Sequence, residues 1–505
     1  MAWTHIDLFA GIGGFRLAVQ RNGGRCIGYS EINADAILAY EANYRDAAET
    51  NFGDITKLRS LPRHDFLTGG VPCQSWSIAG KNLGFDDDRG QLWNDAICLL
   101  NQSRPKAFLF ENVKGLIDPR NHAALDYIMR RIAEAGYCAD VHVLNSFDYG
   151  VPQSRVRIYI VGFADKEYHK RFRLPPKSRG KLKLRDILDD APRNDAPRND
   201  APRKDDAAAT CERDLFGDPV QRNSGRTSLS ANNNGFNDYF LFNDIRNGDT
   251  TIHSWDILDT TEREKGICLL LLRNRRKSNY GNLDGNPLSL DHFRRLDASI
   301  TQTDIDGLCA KGILKPEIYS YSVSHGGDLD LTLHERLVLD HAEGGILVPD
   351  NFGSDRELKK AKVRFDEVLH SLTAKGAIAP EEIRYDFKYT KISTGLFGVN
   401  RVFLPTSNIF PTLVASDSND YVANVSIVAT DRETYRRRFI EEIYKAGLYR
   451  RITKREACRI QGFPPDFILP DSRSRWMKLV GNSVSVPVIE QLVRQIVATG
   501  VFSGA

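Results

Sequence analysis

Between residues 4 and 165, short apolar runs alternate with helical patterns, and this alternation restricts the fold more than any other property of the 505-residue chain. The candidate strands are Ile6-Asp7-Leu8-Phe9, Cys26-Ile27-Gly28-Tyr29-Ser30, Asp65-Phe66-Leu67-Thr68, Ala107-Phe108-Leu109-Phe110, Ala139-Asp140-Val141-His142-Val143-Leu144 and Arg157-Ile158-Tyr159-Ile160-Val161. Helical spacing of apolar residues fills most gaps, as in Gly14-Phe15-Arg16-Leu17-Ala18-Val19 and Leu92-Trp93-Asn94-Asp95-Ala96-Ile97-Cys98-Leu99-Leu100. Strands separated by helices cross over and lie parallel, so the expected class is α/β: a doubly wound, mostly parallel sheet.

A chain this long exceeds what one hydrophobic core serves, so a second, mixed domain is expected. The α/β pattern occupies residues 1–165, and residues 166–205 read as a linker. Residues 190–204 are three tandem pentads, Asp-Ala-Pro-Arg-Asn twice and then Asp200-Ala201-Pro202-Arg203-Lys204. Proline at every fifth position forbids a helix, and the scarcity of apolar side chains forbids a core. Residues 206–448 mix helix and strand patterns. Within them, Gly266 to Arg276, Leu288 to Phe293 and Thr303 to Leu308 read as three short helices before a strand that follows Lys311-Gly312. That order suits a winged helix-turn-helix, with a plain helical insertion as the alternative. Leu308-Cys309-Ala310-Lys311-Gly312-Ile313-Leu314 is echoed by Leu372-Thr373-Ala374-Lys375-Gly376-Ala377-Ile378, an echo that two glycine-capped helix ends also produce without duplication. Residues 449–505 return to strong patterning, with Val488 to Val497 as an amphipathic helix.

Composition adds exclusions. A net charge of +3 is nearly balanced, so contact with nucleic acid must come from local clusters such as Arg450, Arg451, Lys454, Arg455 and Arg459. The 8 cysteines show no zinc spacing, so no metal is expected, and a reducing cytoplasm is the simplest setting. Met1-Ala2-Trp3-Thr4-His5 is no basic leader, and no apolar window has membrane-spanning length.

An open α/β sheet carries its chemistry on the loops at the carboxyl ends of its strands. Asp7-Leu8-Phe9-Ala10-Gly11-Ile12-Gly13-Gly14-Phe15 places a glycine-rich turn after the first strand, where backbone can approach a nucleotide-like ligand and Phe9 can stack on a base. Glu31 ends the second strand, the position from which an acid binds ribose hydroxyls, and Gly53-Asp54-Ile55-Thr56 repeats the pattern. Cys73, in Gly69-Gly70-Val71-Pro72-Cys73-Gln74-Ser75-Trp76-Ser77, follows the next strand. It is either a nucleophile or the small buried hydrophobe that most free cysteines are. Glu111, in Phe110-Glu111-Asn112-Val113, follows another strand and would reach the same edge. Its alternative is a helix N-terminal acid.

In order along the chain, Asp7 to Gly14, Glu31, Gly53-Asp54-Ile55, Pro72-Cys73-Gln74, Glu111-Asn112-Val113, Gln153-Ser154-Arg155-Val156-Arg157, Gln461-Gly462-Phe463-Pro464 and Gly481-Asn482-Ser483 resemble the motifs of the DNA (cytosine-5)-methyltransferases. The resemblance covers residues 4–165 and 449–497 almost continuously. It implies the Rossmann-like methyltransferase fold and S-adenosylmethionine as methyl donor, held by Phe9, Gly11, Gly13, Glu31, Ile32, Asp54, Ile55, Leu92 and Asn482. It implies Cys73 as nucleophile, with Glu111, Arg155 and Arg157 around the target cytosine. It also implies that Gln74, Ser77, Arg89 and Thr412, the last in Asn408-Ile409-Phe410-Pro411-Thr412-Leu413, touch double-stranded DNA, and that residues 206–448 recognise the target, with 449–505 completing the catalytic domain. A monomer of the bacterial cytoplasm, paired functionally with a restriction endonuclease, completes the expectation. An RNA cytosine methyltransferase and an inactive DNA-binding homologue are the competing readings.

Overall fold

The computed structural model describes residues 2–44, 49–72, 88–177, 182–189, 238–246, 248–281, 285–324, 329–349, 352, 355–392, 394–429 and 431–503. They form two compact units, residues 1–239 with 401–505, and residues 240–400.

The first unit opens with β1 (Thr4–Leu8), α1 (Gly14–Arg21), β2 (Arg25–Ser30), α2 (Ala34–Asn43), β3 (Thr50–Asn51), β4 (Phe66–Gly70), α3 (Asp88–Ser103), β5 (Ala107–Val113), α4 (His122–Glu134), β6 (Cys138–Asn145), β7 (Gln153–Ser154), β8 (Val156–Phe163) and α5 (Lys166–Arg171). Seven of these strands make one sheet in the order β3-β2-β1-β4-β5-β8-β6. All neighbours are parallel except β8, which runs antiparallel to both β5 and β6. The doubly wound expectation holds. The six expected strands are present, and β3, two residues long, is the edge strand their pattern did not announce.

Alternate residues of each strand enter separate cores, as a pleat buried on both faces requires. Phe66, Ala107, Leu109, Tyr159 and Val161 lie in one core. Leu67, Phe108, Phe110, Ile158 and Ile160 lie in the other.

The second unit runs through β9 (Tyr239–Phe242), β10 (Thr251–Ile252), α6 (Ser254–Ile257), α7 (Glu262–Asn274), β11 (Leu288–Ser289), α8 (Leu290–Leu296), α9 (Gln302–Ala310), β12 (Leu314–Val323), α10 (Leu333–Leu339), β13 (Ile346–Leu347), α11 (Arg356–Lys360), α12 (Phe365–Ala374) and β14 (Ile378–Phe387). Its main sheet has the order β11-β14-β12-β13, antiparallel throughout.

The chain then returns to the first unit with β15 (Arg401–Phe403), β16 (Phe410–Pro411), β17 (Asp420–Ala423), α13 (Arg432–Arg438), β18 (Tyr449–Arg450), α14 (Lys454–Gln461), α15 (Arg473–Asn482) and α16 (Val486–Ala498). Residues 401–448, read from sequence as part of the recognition region, pack with the first unit, because Phe403, Phe410, Leu413 and Val422 enter its first core. That core also takes Val488, Ile489, Leu492, Val493 and Ile496 of α16, and Asn22 after α1 donates to the Glu490 carbonyl. Four of the five basic residues at 450–459 are engaged internally, Arg450 with the fully buried Glu456, Arg459 with Asp189, Lys454 with Asp471 and Arg451 with Asp417, while Arg455 is exposed.

Candidate active site

The strand order reverses at β1, whose neighbours are β2 and β4, and that reversal opens a crevice at the carboxyl edge. After β1 the chain turns through Phe9, Gly11 and Gly13, all with φ between 53° and 83°. At Gly13 the turn has no alternative residue, since an added Cβ would stand 2.3 Å from the Tyr44 ring. Glu31, just past β2, holds this turn: its Oε2 accepts from the Gly11 amide at 2.8 Å, and its Oε1 accepts from the Ile32 and Asn33 amides at 2.8 Å. A carboxylate oxygen carries two lone pairs, so Oε2 retains capacity for one hydroxyl. Ile32 beside it is 71% exposed, an unusual state for isoleucine. Asp54, beyond β3, accepts from the amide and hydroxyl of Thr56, and these bonds hold its carboxyl below the usual range. Ile55 is buried beneath it, while Leu92 of α3 is part-buried at the edge of the same core. A carboxylate with a free lone pair, a second acid, an exposed aliphatic side chain and the Phe9 ring at one sheet edge suit an adenosine-like ligand with an amino-acid tail. Asn482 lies at the C-terminal end of α15, exposed to solvent.

The other half of the edge belongs to Glu111 and Arg157. Glu111 is in register with Tyr159, and Val113 with Arg157, across the antiparallel β5–β8 pair. Residues two apart share a face, so Glu111 and Arg157 are diagonal neighbours, and the Arg157 Nε stands 3.2 Å from the Glu111 Oε1. Because β8 is antiparallel, its amino end is at the carboxyl edge of β5, which is why an arginine opening that strand reaches the site. Burial raises the Glu111 carboxyl above its ordinary range, and Arg157 and then Arg155 oppose the shift. Gly70 of β4 is directly opposite Glu111. The segment that leaves Gly70 is braced by Asn112, whose Nδ2 donates to the Val71 carbonyl at 3.1 Å. Asn112 is a contributor the sequence reading passed over; its place in the Glu111-Asn112-Val113 motif was the available signal. Cys73, Gln74 and Ser77 lie outside the described residues, as does the side chain of Arg89.

The two arginines expected to act together have separate partners. Arg155, 3% exposed, donates to the carbonyls of Leu413, Gly481 and Ser483 at 3.1, 3.1 and 2.6 Å. Thr412, next to Leu413, donates its hydroxyl to the Ser154 carbonyl at 2.6 Å, beside the short parallel pairing of β16 with β7.

The family model for C-5 cytosine-specific DNA methylases matches residues 3–304 and 357–498. The chain belongs to that family. The methylase is similar to the Type II methyltransferase M.HgiBI of Herpetosiphon aurantiacus, with 38% identity over 500 residues, 98% of this chain and 97% of the relative. M.BanI of Aneurinibacillus aneurinilyticus, another Type II methyltransferase, is 30% identical over 509 residues, 97% of this chain and 95% of the relative. The methylase is thus a DNA (cytosine-5)-methyltransferase. S-adenosylmethionine is the methyl donor that membership implies, and the residues around the β1 turn fit it. Among the described residues no helix is long and apolar enough to cross a membrane.

Proposed function

We propose that this methylase modifies carbon 5 of a cytosine flipped out of double-stranded DNA, through a covalent adduct with Cys73. The observation that carries the reading is the part-buried Glu111–Arg157 pair opposite Gly70, three residues before Cys73. Carbon 5 of cytosine is too weak a nucleophile to be methylated directly. Cys73 thiolate bonds to carbon 6, while Glu111, held in its acid form, donates to ring nitrogen 3 and accepts from the exocyclic amine. Arg157 stabilises the carbonyl oxygen on carbon 2 of the base and keeps the Glu111 carboxyl oriented. Bound S-adenosylmethionine, held by Phe9, Gly11, Gly13, Glu31, Ile32, Asp54, Ile55, Leu92 and Asn482, supplies the methyl group that carbon 5 receives. The carbon 5 proton then leaves, the carbon–sulfur bond breaks, and Cys73 returns as thiolate. A stacked base cannot reach these groups, so the cytosine must leave the duplex. Gln74, Ser77, Arg89 and Thr412 contact the DNA, and residues 206–448 contain the recognition region. The Type II names of the relatives support pairing with a restriction endonuclease that cuts the same site.

Trapping tests this. Wild-type protein with S-adenosylmethionine should form a stable adduct with 5-fluorocytosine duplex DNA, and Cys73→Ser should bind the cofactor yet form none. An adduct with the serine variant rejects Cys73 as nucleophile. Preferential trapping on fluorocytosine RNA would replace DNA with RNA as substrate, and failure of the wild type on both would make the protein an inactive homologue.

A further inference from the structure

The second unit is built twice from one plan. The series α7-β11-α8-α9-β12 is followed by α10-β13-α11-α12-β14, the same five elements in the same order. The sheet order β11-β14-β12-β13 reads identically when the halves are exchanged. Each half has its own core, one containing Ile267, Leu288, Phe293, Leu308 and Phe387, the other Val338, Leu347, Leu358, Leu372 and Ile378. One lock recurs in both. Lys311 after α9 donates to the Asp259 carbonyl at 2.7 Å and to Glu264 at 2.8 Å. Lys375 after α12 donates to the Asp330 carbonyl at 2.7 Å and to Glu335 at 2.8 Å. Each glutamate closes a capping box with a threonine, Thr261 or Thr332, two residues after that aspartate. The recurrence of Asp-x-Thr-x-x-Glu and of Ala-Lys-Gly followed by Pro-Glu (Pro316-Glu317, Pro380-Glu381) goes beyond what two glycine caps alone explain.

Three helices followed by a strand ribbon make each half a winged helix-turn-helix in which the partner half supplies the second strand of the wing. The rotation that exchanges two antiparallel neighbours is perpendicular to their sheet, so it leaves each face on its own side. Equivalent residues of the two halves therefore emerge on one side of the β12–β14 ribbon. Directly after the buried anchor of each second helix comes a basic pair: Arg294-Arg295 after Phe293, and Lys359-Lys360 after Leu358. All four are exposed, and Arg294 has an exposed acid, Asp291, 3.9 Å away. The third helices, which read bases in most proteins of this type, contain no arginine or lysine here and expose Asp306, Asp366 and Glu367. Glu367 pairs with Arg364 at the start of α12, and Asp306 and Asp366 oppose entry into a groove lined by phosphates.

Resting on the methyltransferase reading for its partner, we infer that the duplicated unit is a two-fold clamp on the DNA phosphate backbone and does not read bases. The dyad of the β12–β14 ribbon, 10 residues in each strand, relates the two basic pairs, so one duplex can meet both at once.

The test is binding of full-length protein to a random-sequence duplex over a potassium chloride series. Each lost phosphate contact lowers the slope of log affinity against log salt by about 0.9. R294Q/R295Q/K359Q/K360Q should lower it by about 2 to 4, each pair alone by about half, with R294K/R295K restoring its share. The sequence methylated in cells expressing the variant should be unchanged. An unchanged slope, a loss confined to one pair, or a changed methylated sequence overturns the clamp. If wild type transfers no methyl group to DNA, the methyltransferase reading fails, and the salt slopes still decide the clamp separately.

Discussion

Asp7, Thr68 and His5 form a fully buried chain beneath the carboxyl edge of the first sheet. The Thr68 hydroxyl donates its single proton to Asp7 Oδ1 at 2.7 Å, so the 2.7 Å contact with His5 Nε2 requires that nitrogen to donate. Burial first, then the charges of His64 and Arg16, hold His5 well below its ordinary pKa and keep it neutral. Burial raises Asp7 to about 7, with the Thr68 bond opposing and the Glu31 charge adding. A raised acid stabilises the fold fully below its unfolded value of 3.8, and the contribution is lost as pH rises through about 7. Wild type should therefore lose stability relative to Asp7→Asn between pH 5.5 and 8.5, by about 2 kcal/mol, since only the part of the shift between pH 5.5 and about 7 falls in that window. Urea midpoints at the two pH values measure it, and parallel midpoints would contradict the assignment. The place of Glu111 and Arg157 at the carboxyl edge was legible because each lies within three residues of a strand end there, although β5 runs on through Glu111 to Val113. The Asp7 chain was not, because it depends on which neighbours close over a strand from both faces.

At the scale of elements, Arg155 joins three segments remote in sequence: the chain after β7, the Thr412-Leu413 stretch and the end of α15. Gly481 permits the approach, since a Cβ there would stand 2.5 Å from the Val414 carbonyl carbon. Removing the guanidinium leaves the buried Leu413 and Gly481 carbonyls without that donor, while Ser483 keeps Gln461, so Arg155→Ala should cost about 3 kcal/mol in chemical denaturation. Arg155→Lys should recover little, because an ammonium lacks the planar fork that reaches separate carbonyls. Full recovery by lysine would show that charge alone matters. The strands of five or more residues in the first sheet announced themselves by apolar runs, whereas β14, charged along much of its 10 residues, did not. β3, β7 and β16 did not, since two residues carry no periodicity and pair only because longer elements bring them together.

For the whole molecule, the first unit closes only when the carboxyl end returns to it. Val486, Val488, Ile489, Leu492, Val493 and Ile496 of α16 are buried. At roughly 1.5–3 kcal/mol per side chain, their loss rivals the 5–15 kcal/mol by which a domain is stable. A chain ending before Val486 should therefore fail to yield soluble, cooperatively unfolding protein, even with every motif from Asp7 to Gly481 intact. Recovery of soluble protein with an unchanged melting transition would refute that dependence.

The strand–helix alternation and the order of the motifs determined the α/β class, the methyltransferase family and the residues of its edge, because period and strand-end position are local properties of sequence. Tertiary structure alone decided that residues 401–448 pack with the first unit, that Arg155 is a brace while Arg157 meets Glu111, and that the Lys-Gly echo belongs to a two-fold unit. Each depends on contacts between segments far apart in the chain, and no local pattern encodes which distant partner a buried side chain will meet.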